Sequence, residues 1–208
     1  MSNAGPNDET AAGELATDEL VVRAKTQREA FGRLYDRFFP LVHRYCYRRL
    51  FDFATADDVS SEVFLQVARA IARFPGRTEE DFRRWVYRIA TNAINAHLRQ
   101  RIRHGDLLRR AVDLGRWKSA QTAPRPAEQG DSELDAVTEA ISHLSLREQT
   151  VLALHFTEGL SYEEVGHVLT IRPATLRVVA SRALANLRRR LSSRLGSAAI
   201  QHGERPAP

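Results

Sequence analysis

Residues 159–182 read GLSYEEVGHVLTIRPATLRVVASR. Ser161, followed three residues later by Glu164, carries the signature of a capping box, so a helix should open there. Its apolar pattern gives out at Leu169, and Pro173 fits the first turn of a second helix. Ser161–Leu169, Thr170–Arg172 and Pro173–Leu195 have the lengths of a supporting helix, a tight turn and a recognition helix that enters a DNA major groove. Gly166 falls where the two helices would cross, and its small size permits close approach. Two features resist this reading. Thr170 stands in the turn where glycine is usual, and Val178-Val179 sits where a groove-reading helix carries polar groups. The helical period puts Leu176, Val179, Ala183, Leu184 and Leu187 on a core face and Thr175, Val178, Ser181 and Arg182 on the opposite one. Val179 is thus no anomaly, and Val178 suits a thymine methyl. Arg177 and Arg182 suit phosphates or base edges, and Arg188–Arg190 would follow the DNA backbone. A helical hairpin with a solvated arginine face fits the same pattern, and this stretch alone leaves both open.

Upstream, helical periodicity continues and no β alternation appears. Gly159 stops a helix that Ser145 and Glu148 open as a second capping box, and Leu134, Val137 and Ile141 mark another before it. The segment 104–131, with its PRPAEQG run, reads as a linker, with Leu107, Leu108 and Val112 as a helical extension of undefined length. Before it, Thr17 is expected to cap a short helix opening Asp18-Glu19-Leu20. A second helix spans about 28–50, with Pro40 expected to kink or break it. Thr55 is expected to cap a third, with Asp57 and Asp58 in its first turn and Val59, Val63, Phe64, Val67 and Ile71 as its buried stripe. Phe74-Pro75-Gly76 ends that helix, and Thr78 starts a long one reaching about Arg103. The fold class is therefore all-α, with two small helical domains on a flexible tether.

The 208 residues carry a net charge of only +5, unevenly spread. The first twenty residues hold five acids and no base, whereas 82–103 holds six arginines and 171–195 seven, neither with an acid. Two all-basic blocks suggest two contacts with a polyanion. Codon bias explains the preference for Arg over Lys but not the missing acids. A single cysteine, Cys46, excludes an internal disulfide and a cysteine-based zinc site, and its apolar neighbours suggest an inert buried thiol. The scattered histidines offer no metal cluster. No apolar run is long enough to span a bilayer, and the polar, acidic first residues lead us to expect no secretion signal.

Residues 82–103, FRRWVYRIATNAINAHLRQRIR, mix aromatic, amide and guanidinium groups on one helix, the combination that binds unstacked bases and their backbone. Trp85, Ile89 and Ile94 read as core. Arg84, Arg88, Asn92, Asn95, Arg99 and Arg103, spaced by three or four, read as an exposed face. Asp57, Asp58, Glu62 and Gln66 lie along one side of the preceding helix, and by themselves form a solvated acidic face.

In order along the chain, DELVVRA, AFGRLYDRFFPLVHRY, DDVSSEVFLQVARAIARF, FRRWVYRIATNAINAHLRQR and LSLREQTVLALHFTEGLSYEEVGHVL resemble the bacterial sigma factors of the extracytoplasmic-function group. The resemblance implies a region 2 domain at 18–103 and a region 4 domain at 132–195, with disordered segments at 1–17 and 196–208. It implies polymerase docking by Asp57, Asp58, Glu62, Phe64 and Gln66, against the clamp helices of the β′ subunit. It places Phe74, Phe82, Arg84, Arg88, Asn92, Asn95 and Arg99 at the −10 element, the loop 74–82 holding a flipped base. It places Thr175, Arg177, Val178, Ser181 and Arg182 at the −35 element. The implied partners are core RNA polymerase (β′ clamp helices and β flap), promoter DNA both duplex and single-stranded, and an anti-sigma factor. No catalysis, cofactor, metal or membrane insertion is implied, and the protein would be cytoplasmic. The alternative is a helix-turn-helix regulator acting on duplex DNA without polymerase, for which the single-strand reader at 82–103 has no use.

Overall fold

A computed structural model describes residues 16–113 and 132–201, with side chains for 16–104 and 136–192. Eight α-helices form, and no strand occurs among the described residues: α1 (Thr17–Arg23), α2 (Arg28–Leu50), α3 (Phe53–Ala70), α4 (Glu79–Asp113), α5 (Ser132–Ser142), α6 (Leu146–Leu152), α7 (Tyr162–Leu169) and α8 (Pro173–Gln201). A 3-10 turn at Ile71–Arg73 follows α3, and a π-helical turn at Ala153–Thr157 follows α6.

Local sequence explains most of the boundaries. Both capping boxes form as expected, with Ser145 and Ser161 accepting from the amides of Glu148 and Glu164 while those carboxylates accept from the cap amides. Gly159 takes φ +71°, a left-handed conformation that glycine adopts without strain. Thr78 caps α4 through the Asp81 amide at 3.2 Å. Two other expected caps move. Thr17 lies inside α1 and is buried, with Ala16 preceding it and making no side-chain cap. The cap of α3 is Asp52, which accepts from the Thr55 amide at 2.8 Å, so the helix begins two residues before Thr55. An Asx cap just outside the helix competed successfully with the threonine inside it.

Pro40 neither breaks nor ends α2, which runs from Arg28 to Leu50 across it. The proline ring is exposed, so the carbonyl left without its amide partner lies on the wet side, while Phe38 and Val42 hold the inner side in the core. Helix α4 continues through 104–113, into the segment expected as linker, and the backbone of α8 runs to Gln201, beyond the expected end at Leu195. Residues 1–15, 114–131 and 202–208, which include most of the expected linker, lie outside the described residues.

In the N-terminal unit, α2 packs between α3, α4 and α1. Its interior is built on Leu34, Phe38, Val42, Tyr45, Val63, Val67, Phe82, Val86 and Ile94, all essentially inaccessible to solvent. Tyr45 is kept wholly inside by a 3.0 Å hydrogen bond to Thr91, and burial pushes its phenol up to about 12. Cys46 is equally buried, and its thiol is pushed up to about 12 by desolvation, which makes it inert. In the C-terminal unit, Val151, Leu154, Leu160, Val165, Val168, Leu176 and Ala180 close the core around the α7–α8 corner. The two units touch, α4 against α7 and α2 against the π-helical turn, and their cores join into one apolar cluster.

Candidate nucleic-acid interface

The α7–α8 corner depends on two residues. A Cβ on Gly166 would come within 2.8 Å of the Ile171 carbonyl oxygen, so only glycine permits this crossing. Thr170, in the place of the usual glycine, takes φ +58° and ψ +46°. The missing glycine is thus a threonine held in the left-handed region, where a β-branched side chain is strained. The corner presents Thr175, Arg177, Val178, Ser181 and Arg182 to solvent, all exposed, with Leu176 and Ala180 turned inward. Val178 is 49% exposed, and Val179 is half-buried against the core. Arg177 is held by Glu163 at 3.0 Å and lies over the Tyr162 ring, which orients it ahead of any DNA contact.

On α4, Arg88, Asn92 and Arg99 are exposed and carry no hydrogen bond or ion pair. Arg84 is half-buried and tied to Asp81 at 2.6 Å. Asn95, also half-buried, accepts from Arg49 at 3.3 Å. All five fall within about a quarter-turn of the helix, as residues spaced by three and four must. Phe74 and Phe82 do not join this face. Both are buried, Phe74 stacked on Trp85 at 4.5 Å and Phe82 edge-on to Phe38 at 5.0 Å, and they form the floor under the loop 74–82. Sequence could not separate these rings from exposed ones, since aromatic residues mark both cores and base platforms.

Helix α1 braces that loop. Lys25 donates to the Gly76 carbonyl at 2.8 Å and sits over the Phe74 ring, and Asp18 accepts from the Glu79 amide at 2.6 Å. A Cβ at Gly76 would meet the Phe74 ring at 2.4 Å, so the loop's path requires glycine. The carboxyl of Asp81 accepts from the Arg77 amide and from Arg84, which hold it below the usual carboxylate range despite some desolvation.

Helix α3 carries Asp57, Asp58, Glu62 and Gln66 on its outer side, all exposed, with Gln66 donating to Glu62 at 3.0 Å. Phe64 is not among them. It is buried, packing against Tyr35 and Phe39, so it supports the face from beneath. Leu65, 45% exposed, and Tyr35, 37% exposed, add an apolar element that the sequence reading missed. Leu65 adjoins the buried stripe in sequence, and only its direction distinguishes it. Among the described residues no group of three His, Cys, Asp or Glu side chains is placed to hold a metal, and no helix is long and apolar enough to cross a membrane.

Two exposed faces bearing arginine and other polar groups lie on separate helical units, one of them a helix-turn-helix, an arrangement that suits a bipartite nucleic-acid-binding protein. Residues 34–104 match the family model for sigma-70 region 2, and residues 134–187 match that for sigma-70 region 4. The chain is 32% identical to the RNA polymerase sigma factor CarQ of Myxococcus xanthus, over 77% of this chain and 88% of that one. It is 34% identical to the ECF RNA polymerase sigma factor BldN of Streptomyces coelicolor over 83% of its own length, and spans 65% of that relative. The fold is similar to that of CnrH, solved with the cytosolic domain of CnrY (TM-score 0.62, 22% identity, covering 85% of this chain and 97% of that one). It is also similar to the sigma factor RpoE of Bartonella quintana, solved with the anti-sigma factor NepR (TM-score 0.57, 19% identity, covering 78% and 96%). The chain belongs to the RNA polymerase sigma factors, in the extracytoplasmic-function group.

Proposed function

We propose that three surfaces divide the work of promoter-specific initiation. The outer side of α3, with Asp57, Asp58, Glu62 and Gln66 around exposed Leu65, docks on the β′ clamp helices of core polymerase. The α4 face of Arg84, Arg88, Asn92, Asn95 and Arg99, with the braced loop 74–82, takes the −10 element. There, capture of unstacked bases and phosphates supplies the energy of strand separation. The α8 face of Thr175, Arg177, Val178, Ser181 and Arg182 reads the −35 element as duplex, while its unit meets the β flap. No residue performs chemistry in this scheme, and the protein works in the cytoplasm beside polymerase, restrained by an anti-sigma factor.

The observation that carries this reading is the free state of Arg88, Asn92 and Arg99 on a helix otherwise packed into a core. Three polar side chains without partners on one rigid face are arranged for a ligand outside the protein. Tethering two weak readers raises the local concentration of the second once the first has bound. Elements 25 base pairs apart lie about 85 Å apart along B-form DNA. The two units, in contact in the structure, must therefore separate to engage both.

Reconstitution with core polymerase tests the proposal. The chain should co-elute with core enzyme in gel filtration, and run-off transcription on a genomic library should yield new start sites sharing two spaced elements. Failure to co-elute, with binding to duplex DNA retained, would favour a polymerase-independent regulator.

A further inference from the structure

The contact between the units has a charge pattern that mutual attraction does not explain. Arg44, Arg48 and Arg49 of α2 and Arg83 of α4 face the C-terminal unit. Glu158, its side chain wholly buried, lies 3.6 Å from Arg44 and 3.5 Å from Arg48, and accepts from the Tyr87 hydroxyl at 2.8 Å. Glu164 takes Arg83. Arg49 meets no carboxylate. It is 5% exposed and donates to Gln149, Thr150 and Asn95 at 2.8, 3.1 and 3.3 Å, while its Nε has no acceptor. Four cations thus share two anions, and one of them is buried against neutral oxygens, an expensive arrangement for a guanidinium.

We propose that this arginine surface is a second DNA-backbone contact of the N-terminal unit, occupied in the closed form by carboxylates that stand where phosphates bind. The inference rests on the sigma-factor reading, which requires the units to part. Parting removes Glu158 and Glu164 and leaves four guanidiniums, whose planar forks match phosphate oxygens. The surface is continuous with the −10 face, because Arg49 bonds directly to Asn95. Its ligand is the phosphodiester backbone flanking the −10 element. Such a contact carries no sequence information and strengthens binding to all promoters of this factor. The same surface, covered in the free chain, withholds that binding until the units separate.

The test uses holoenzyme rebuilt from core polymerase and the full chain, with a promoter fragment recovered by run-off transcription. The fragment is taken both as intact duplex and pre-melted across the −10 element. Binding is followed by fluorescence anisotropy across a salt series for wild type, R44A/R48A and R28A. Arg44 and Arg48 are half-exposed, so their removal spares the core, and thermal melting verifies the fold. Two lost phosphate contacts should lower the slope of log K against log salt by about 1.8 if the backbone is duplex and about 1.4 if single-stranded. R28A, on the opposite side of α2, should not change it. An unchanged slope and affinity in R44A/R48A would overturn the inference, leaving these arginines a role only in holding the units together. Half that loss in R28A, which removes one charge instead of two, would overturn it as well, as a bulk charge effect. Failure of wild-type holoenzyme to bind would instead remove the sigma-factor reading, and this inference with it.

Discussion

Glu158 is the point at which the closed form is most easily broken, and E158Q isolates its charge. The glutamine amide keeps an acceptor for the Tyr87 hydroxyl but loses the carboxylate that Arg44 and Arg48 share. Those two side chains are 50% and 44% exposed, so solvent screens each pair to roughly 0.5 kcal/mol. The Tyr87 bond, made inside the interface to a fully buried charge, loses about 1 kcal/mol when its acceptor becomes neutral. The sum is about 2 kcal/mol, or a roughly thirtyfold fall in the ratio of closed to open forms. Single-molecule energy transfer measures that ratio directly. Dyes on cysteines placed at Glu29 and Arg147, both exposed and outside the proposed docking and DNA faces, report one on each unit. Native Cys46 does not compete for label, since it is buried and its thiol is raised to about 12. Wild type should give a dominant high-transfer population, E158Q a mixture shifted to low transfer, and core polymerase should move both to low transfer. If E158Q reproduces the wild-type distribution, the buried carboxylate does not hold the units together and the reasoning fails. A wild-type protein without a high-transfer population would refute the closed form itself.

Three further outcomes follow from particular residues. T170G should stabilise the chain, because relief of a left-handed threonine, about 1–2 kcal/mol, exceeds the added backbone entropy of glycine, about 0.5–1 kcal/mol. A rise in Tm of about 2–3 °C by calorimetry is expected, and a fall would show that Thr170 is not strained. V178S should alter −35 preference by roughly fivefold at one position, the value of one apolar methyl contact, with polymerase affinity unchanged; identical promoter profiles from the two holoenzymes would refute the contact. The third concerns acid. Asp52 is held below its ordinary range chiefly by bonds from Thr55. Burial raises Glu164, but the Ser161 amide and hydroxyl and Arg83 outweigh it and leave its carboxyl lowered. Groups lowered by folding contribute stability above their unfolded values, here 3.8 and 4.5, and lose it as pH falls through the folded ones. Urea midpoints should therefore be insensitive to these groups above about pH 5 and decline below about pH 4.5. In E164Q the decline should be shallower.

What the sequence determined by itself is what short-range chemistry governs. The capping boxes at Ser145 and Ser161, the stop at Gly159, the start at Pro173 and the outward direction of Thr175, Val178, Ser181 and Arg182 depend on neighbours within one turn. Each was legible without knowing what lay across the molecule. Thr55 and Pro40 mark the edge of that range, since a nearby aspartate took the cap and core packing carried α2 through its proline. Tertiary structure decided which aromatic rings are floor and which are surface. Period already put Phe64 on a core stripe, but Phe74 lies in a loop outside any helix and Phe82 opens a helix rich in base-binding residue types, and only the packing against Phe38 and Trp85 shows both to be floor. It also decided the fate of charge. Glu158 ends a short helix and meets Arg48 across 110 residues, while Arg49 finds its acceptors 46 to 101 residues away. Local periodicity carries no information at that separation, because the energy of a buried ion depends on everything that excludes water from it. Only the assembled fold shows that these arginines are covered by another part of the same chain.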